Sequence, residues 1–258
     1  MNKYLRIAGI LSILCFSFYF TEQAALFMRR QDPLYETILA VEEEYKEESV
    51  DAIIEDEYII PGYSGIAINV DKSFQNMKYL GYYQASSLVF DEMKPTISVS
   101  ENKDKIIQKG NPLKQSVAMI LKDEMLITYL EEMGIPYSVL TTKETVDFHR
   151  AYGTKINYDF ANYSEVEKTL KKNKENNDLC FITKNHKEFC QEQKKMLIEE
   201  SLSITKNNFS KVYNGVTSGQ IIYVENLELS NFKLLLETIQ FKGLQVIPLQ
   251  DLISESRE

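Results

Sequence analysis

Short apolar runs alternate with amphipathic segments over the second half of the chain, and this pattern most limits the folds available to it. The apolar runs predict strands at residues 116–122, 135–141, 178–183, 219–225 and 244–249. The segments between them predict helices at residues 123–134, 143–153, 163–177, 186–197 and 229–243. Strands separated by helices of this length are typical of a mostly parallel sheet or a barrel, so the predicted class is α/β.

The N-terminus has a different composition from the rest. Lys3 and Arg6 precede an uncharged run of fourteen residues, 7–20, and apolar character resumes at residues 24–28 after a polar break. Fourteen residues match a signal-peptide core and are fewer than the roughly 20 that span a membrane. We expect residues 1–30 to form an uncleaved single-pass anchor in the cell membrane, with the body of the chain outside the cytoplasm. The alternative is a buried N-terminal helix.

The region between the anchor and the alternating half is punctuated by turns. Residues 32–51 show helical spacing, with Asp32 as a cap and Pro33 in the first turn. Two short strands are predicted around Asp56, and the sequence breaks again at residues 110–112. We therefore predict a stalk helix and small α+β module at residues 31–112, followed by a second domain at residues 113–258.

Charge and cysteine usage restrict the partners and the compartment. The formal charge of −9 argues against a nucleic-acid partner, which would require a basic face. Cys180 and Cys190 lie ten residues apart. In an oxidising compartment they could form a disulfide, and the alternative is a pair of buried thiols that need no bond.

Asp123 directly follows the first strand of the alternating half. Catalytic groups of α/β sheets and barrels lie at the carboxyl ends of strands, so Asp123 is a candidate base or ligand. The alternative is that Asp123 caps the next helix. His149 and His186 lack the spacing of a zinc site.

Several stretches of this half resemble the polysaccharide deacetylase (NodB-homology) family. The stretches are "SVAMILK", "ITYLEEMGIPYSVLTTKETV" and "FKLLLETIQFKGLQVIPLQDLISE", and the resemblance runs over residues 114–256. Upstream, "IIPGYSGIAINVDKSFQNMKYLGYY" resembles the N-terminal region of a divergent membrane-anchored branch in low-GC Gram-positive bacteria. The resemblance implies a distorted (β/α) barrel, complete or incomplete. It also implies removal of acetyl groups from N-acetylated sugars of chitin or peptidoglycan.

The residues that carry the family's chemistry are substituted. The family places paired aspartates after its first strand, whereas here only Asp123 follows, displaced. Its His-x-x-x-His motif is matched by Tyr158 and Asn162, and Val224 or Glu225 stands where a last His is expected. Zinc is the family metal, but tyrosine and asparagine are poor replacements for imidazole. We therefore expect no metal site, no cofactor and a pseudoenzyme.

The predicted function is binding of cell-wall glycan, or of an envelope protein, at the barrel mouth. The predicted binding residues are Tyr158, Asp159, Phe160, Asn162, Tyr163 and Glu225. Tyr158, Phe160 and Tyr163 could stack on sugar rings or pack as ordinary loop aromatics. One alternative is an active N-deacetylase with a remodelled site using Asp123, Asp159 and Glu225. The other is a structural or interaction protein of the envelope in which residues 51–111 are the working part.

Overall fold

The computed structural model describes residues 3–175, 178–182 and 186–257, which contain ten α-helices and thirteen β-strands. The helices are α1 (Lys3–Arg30), α2 (Pro33–Ala40), α3 (Glu42–Tyr45), α4 (Val70–Met77), α5 (Glu124–Met133), α6 (Tyr163–Lys172), α7 (Lys187–Glu192), α8 (Phe209–Val212), α9 (Leu229–Phe241) and α10 (Leu249–Ile253). The strands are β1 (Ile53–Glu55), β2 (Tyr58–Ile60), β3 (Gly65–Ile68), β4 (Phe90–Met93), β5 (Ile106–Ile107), β6 (Ser116–Leu121), β7 (Tyr137–Thr141), β8 (Gly153–Asn157), β9 (Leu179–Phe181), β10 (Met196–Ile198), β11 (Leu202–Thr205), β12 (Ile221–Glu225) and β13 (Gln245–Val246).

The chain forms two compact units that do not follow the predicted boundary at residue 112. Unit 1 comprises Met1–Glu48 and Gly65–Met93, and unit 2 comprises Ser49–Ser64 and Lys94–Glu258. Residues 49–64 and 94–112 fold with the second unit because they contribute β1, β2 and β5 to one of its sheets.

The N-terminal segment is helical, but it does not provide the predicted transmembrane span. Helix α1 covers 28 residues, and the sequence within it is broken by the polar residues 21–23. Among the helices of the described residues, none is both long and apolar enough to cross a membrane. Residues 1–2 of the predicted anchor lie outside the described residues.

Unit 1 has a small core of its own. Asp32 caps α2 by accepting a hydrogen bond from the Leu34 N–H at 2.9 Å, as predicted. Tyr35 and Ile38 of α2 are buried with Phe74 of α4, and the Tyr35 and Phe74 rings lie edge to face 5.6 Å apart. Strands β3 and β4 pair antiparallel beside this core.

Unit 2 contains two sheets. One has the order β11-β12-β6-β7-β8, all parallel, with β13 alongside β6. The other has the order β1-β2-β5-β10-β9, in which only β1 is antiparallel. Both sheets supply side chains to one inner core, including Ile120 of β6, Phe181 of β9 and Ile198 of β10. The predicted α/β fold with parallel sheets is confirmed.

Strand β6 is buried on both faces because the two sheets and the helices cover it. Val117, Met119 and Leu121 pack with α5 and α9, whereas Ala118 and Ile120 point into the inner core. This two-residue period is the ordinary alternation of a strand. It explains why β6 reads as a continuous apolar run.

The predicted helix at residues 143–153 is wrong. Residues 143–148 form turns and a bend, and Gly153 begins strand β8, which pairs with β7 over its whole length. The Thr142 carbonyl accepts hydrogen bonds from the N–H groups of Thr145 at 3.1 Å and Val146 at 2.9 Å, so a single turn forms there and is not continued as a helix. The ammonium of Lys155 then fixes this loop by donating to the Val146 carbonyl at 2.8 Å.

The predicted helix at residues 186–197 is too long. Helix α7 ends at Glu192, and residues 196–198 form β10 between β5 and β9. Strand β11 also follows without having been predicted, because both strands are short and local sequence does not reveal their distant partners. Thr183, at the end of one predicted strand, lies outside the described residues.

Candidate functional site

The carboxyl ends of β6, β7 and β8 meet around an open pocket of about 620 Å³, called the mouth pocket below. Lys122 follows β6, Thr142 follows β7 and Tyr158 follows β8. The residues that line it are Lys122, Leu140, Thr142, Glu144, Thr145, Tyr158, Asp159, Phe160, Ala161 and Asn162. Four of the predicted binding residues therefore converge in one place.

Lys122 and Tyr158 are in contact across the end of β7. The Nζ of Lys122 lies 4.2 Å from the centroid of the Tyr158 ring, which is cation–π distance. Lys122 was not among the binding residues predicted from the sequence. Its position directly after the predicted first strand of the barrel is the signal that could have identified it.

An aromatic series continues from Tyr158 into the inner core. Ring centroids are separated by 5.3 Å between Tyr158 and Phe160 and by 6.1 Å between Tyr158 and Phe181. Phe181 is in turn 5.6 Å from Tyr223 of β12. These spacings are typical of packed aromatic pairs, so Tyr158 joins the mouth pocket to the apolar inner core.

Asp159 and Asn162 hold the loop between β8 and α6. The Asp159 carboxylate accepts hydrogen bonds from the N–H groups of Lys143 at 3.1 Å and Asn162 at 3.0 Å, and from the Asn162 side-chain amide at 3.2 Å. Burial would raise the pKa of Asp159, but these donors hold it below its ordinary value. Asp159 is therefore a charged anchor of the loop.

Phe160 belongs to a second aromatic group on the far side of this loop. Its ring stacks on His186 at 3.7 Å with an interplanar angle of 2°, and it meets Phe189 edge to face at 5.6 Å. Phe189 also contacts Tyr163 at 4.9 Å. Phe160, Asn162 and Tyr163 with Phe189 border a smaller open pocket of about 350 Å³.

Tyr163 is more buried than a sugar-stacking residue would be. Only 5% of its surface is exposed, and its buried hydroxyl has no hydrogen-bond partner among the residues that the structure describes. Burial, followed by the nearby Glu167 carboxylate, raises its pKa. The packing alternative for Tyr163 therefore has the stronger physical support, whereas Tyr158 and Phe160 are only partly buried.

Helix α7 contributes Phe189, and its N-cap residue His186, to this second aromatic group, and the helix is linked covalently to β9. Cys180 and Cys190 form a disulfide with their Cα atoms 5.9 Å apart, and both residues are fully buried. His186 and Phe189 therefore sit on a short helix fixed to the sheet. His149 is exposed in the loop before β8.

Asp123 acts as a helix cap. Its carboxylate accepts hydrogen bonds from the N–H groups of Met125 at 2.9 Å and Leu126 at 3.3 Å, at the start of α5. Two of the four N–H groups that lack a helical partner at the start of α5 are thus satisfied. This geometry is that of the capping alternative.

Glu225 lies at the end of β12 beside Tyr223. Burial, and then the charge and hydrogen bonding of Glu225, raise the pKa of Tyr223. Burial also raises the pKa of Glu200, with a further contribution from Glu199. The sequence did not predict Tyr223 or Glu200 as neighbours of Glu225 and Tyr158, because only the fold brings Tyr158 and Glu200 close enough to affect the pKa of Tyr223.

A zinc ion does not fit this donor set. Within the described residues no group of three or more His, Cys, Asp or Glu side chains is placed to hold a metal ion. Tyr158 and Asn162 offer a phenol and an amide, and Lys122 adds a positive charge to the same pocket. Structural and catalytic zinc sites require three or four imidazole, thiolate or carboxylate ligands.

Comparison with solved structures identifies the fold. The wild-type BA3943 protein of Bacillus anthracis, described as a CE4 family pseudoenzyme, superposes with a TM-score of 0.61 over 88% of this chain and 97% of its own, at 16% identity. A BA3943 mutant, described as a CE4 family pseudoenzyme with restored enzymatic activity, gives a TM-score of 0.57 over 87% and 99% at 15% identity. The resemblance predicted from the sequence is confirmed at the level of the fold.

Sequence comparison gives a narrower match. The Bacillus subtilis (strain 168) protein YlxY is 35% identical over 104 residues, which are 40% of this chain and 33% of that protein. The match thus spans about a third of the length of that relative. No protein-family profile matches the chain.

Proposed function

We propose that this chain is a polysaccharide-deacetylase-like pseudoenzyme whose mouth pocket binds cell-wall glycan. The observation that carries the proposal is the convergence of Lys122, Tyr158 and Asn162 on one open pocket at the strand ends. The sequence resemblance matches Tyr158 and Asn162 to the family's two histidines. The two motif positions therefore line the pocket, but the side chains that occupy them suit contact with a ligand better than coordination of a metal.

The shape and chemistry of the pocket support a sugar ligand. Tyr158 and Phe160 supply partly buried aromatic faces, and the hydroxyl of Thr142 adds a polar group at the rim. Sites for small ligands combine apolar surface with a few placed polar groups in this way.

The test is a titration of the full chain with N-acetylated chitooligosaccharides and peptidoglycan fragments, followed by the melting temperature and by acetate release. We expect Tm to rise with ligand, by mass action, without release of acetate. Phe160→Ala should abolish the rise, whereas Tyr79→Ala should leave it unchanged because Tyr79 is 95% exposed on unit 1. No change in Tm with any fragment would refute glycan binding. Acetate release would favour the remodelled hydrolase.

We also propose that unit 2 works outside the cytoplasm. The Cys180–Cys190 disulfide supports this, because such bonds persist in oxidising compartments. When the protein is isolated from cells without reductant and treated with an alkylating reagent, Cys180 and Cys190 should both remain unmodified. Alkylation of both would refute the proposal.

A further inference from the structure

We propose that Lys122 makes the mouth pocket selective for sugars that carry an N-acyl group over sugars that carry a free, protonated amine. This inference rests on the proposed glycan-binding function. The pocket would then distinguish acetylated from deacetylated glycan without performing the reaction.

The ammonium group of Lys122 places a positive charge in the mouth pocket. Lys122 follows β6, and its ammonium lies over the Tyr158 ring at 4.2 Å from the centroid, inside the mouth pocket. Among the described residues, no carboxylate lies within ion-pair distance of Lys122. An ammonium held against an aromatic ring has lost part of its freedom and keeps donor hydrogens for a ligand.

The second step is the state of the carboxylates that share the pocket. Asp159 accepts hydrogen bonds from Lys143 and Asn162, and these bonds hold the loop together. Glu144 accepts a hydrogen bond from Oγ1 of Thr142 at 2.7 Å and is exposed to solvent. Asp159 is thus engaged within the protein, and Glu144 and Lys122 are both exposed to solvent. Lys122 is the charged group that the structure places directly over the Tyr158 ring, where a stacked sugar would meet it.

The third step is the chemistry of the two ligands. The carbonyl oxygen of an acetamido group can accept a hydrogen bond from the Lys122 ammonium, and its methyl group can pack on an aromatic face. A free amino sugar at about pH 6 carries its own ammonium, as an α-amino group with a pKa of about 7.7 does. Two like charges at contact disfavour binding, by about tenfold or more at a partly screened site.

The experiment measures affinity of the full chain for chitotetraose and for its fully de-N-acetylated counterpart at about pH 6. We expect the unsubstituted chain to prefer the acetylated tetramer by about tenfold. Lys122→Met should bring the ratio close to one, and Lys122→Arg, which keeps the charge, should retain the preference. Lys233→Met is the matched control, because Lys233 also lies over a tyrosine ring, 5.0 Å from the centroid of Tyr129, away from the mouth pocket.

The outcomes separate this inference from the function on which it rests. If neither tetramer binds, glycan binding fails and selectivity fails with it. If both bind equally to the unsubstituted chain, or if Lys122→Met retains the full preference, the role of Lys122 is refuted while glycan binding stands. If the preference is lost in Lys122→Met and kept in Lys122→Arg and Lys233→Met, both proposals hold.

Discussion

The ammonium of Lys122 lies 4.2 Å from the centroid of the Tyr158 ring, across the carboxyl end of β7. The contact joins residues that follow β6 and β8, 36 positions apart in sequence. In the family that the sequence resembles, carboxylates follow the first strand and histidines form the motif matched by Tyr158. Here a cation and an aromatic ring occupy that region, and for this reason we propose ligand binding rather than metal chemistry at the mouth pocket.

Asp123 provides a direct test of the hydrolase alternative. As the cap of α5, its replacement by alanine should cost about 1 kcal/mol of unfolding free energy, measured by urea denaturation. Asp123→Asn should cost much less, because asparagine is also a good cap. Both variants should bind glycan as the unsubstituted chain does. Acetate release by the unsubstituted chain that disappears in Asp123→Asn, with stability intact, would show that Asp123 is catalytic.

Lys155 is predicted to stabilise unit 2 through the loop before β8. It is 5% exposed and donates to the Val146 carbonyl at 2.8 Å and to Glu175 at 3.0 Å. Lys155→Met should lower the unfolding free energy by about 1–3 kcal/mol, because the Val146 carbonyl loses its charged donor. Lys168→Met, at an exposed position on α6, is the control and should change little. Equal stability of the two variants would contradict this role.

Glu131 should contribute to the acid sensitivity of the fold. Burial would raise its pKa, but the hydrogen bond from Tyr137 at 2.6 Å, with those from the Tyr152 and Ala151 N–H groups, holds it below the ordinary value of 4.5. A carboxyl group with a lowered folded pKa stabilises the protein above its unfolded pKa, and this stability is lost as pH falls through the folded pKa.

The measurement is Tm against pH from about 6 down to 3, a range that crosses the ordinary carboxyl pKa. Glu131→Gln should lose less stability on acidification than the unsubstituted chain. Glu132→Gln, at the adjacent exposed position, should follow the unsubstituted curve. If Glu131→Gln and the unsubstituted chain have parallel curves, the lowered pKa does not stabilise the fold.

The disulfide between Cys180 and Cys190 is predicted to be a measurable part of the stability of unit 2. Replacing both cysteines by alanine should lower the unfolding free energy by about 2–4 kcal/mol. Adding reductant should destabilise the unsubstituted chain similarly and leave the double variant unchanged. Cys15→Ser should have no effect, because Cys15 is a free, exposed thiol on α1. A reductant effect that persists in the double variant would contradict the assignment.

Local sequence predicts a helix or strand correctly where its hydrophobic period and its capping residues indicate the same structure. Strand β6 is continuously apolar, and α5 has a cap at Asp123 and a left-handed glycine, Gly134, at its end. Strand β8 was not predicted, because it contains Gly153 and the buried Lys155, two residue types that are more typical of a loop. Gly153 is needed there because a side chain would collide with the ring of Tyr137, at 2.6 Å from an added Cβ.

The candidate site was only partly predictable for a related reason. Four-residue spacing identifies Tyr158 and Asn162, but it does not reveal which other residues share their pocket. The parallel register that pairs β6 with β7 and β7 with β8 brings Lys122 there. The second sheet likewise depends on β5, which pairs with β2 on one side and with the distant β10 on the other. Long-range strand pairing of this kind leaves no local signature.

The most direct test of the central claim is the zinc content of the purified chain after incubation with zinc and desalting. We expect substoichiometric zinc in the unsubstituted chain, because Tyr158 and Asn162 replace the two imidazoles of the family motif. The combined variant Lys122→Asp, Tyr158→His and Asn162→His supplies three ligands, one carboxylate and two imidazoles, that zinc accepts, and it should retain about one zinc per chain. Stoichiometric zinc in the unsubstituted chain would contradict the account.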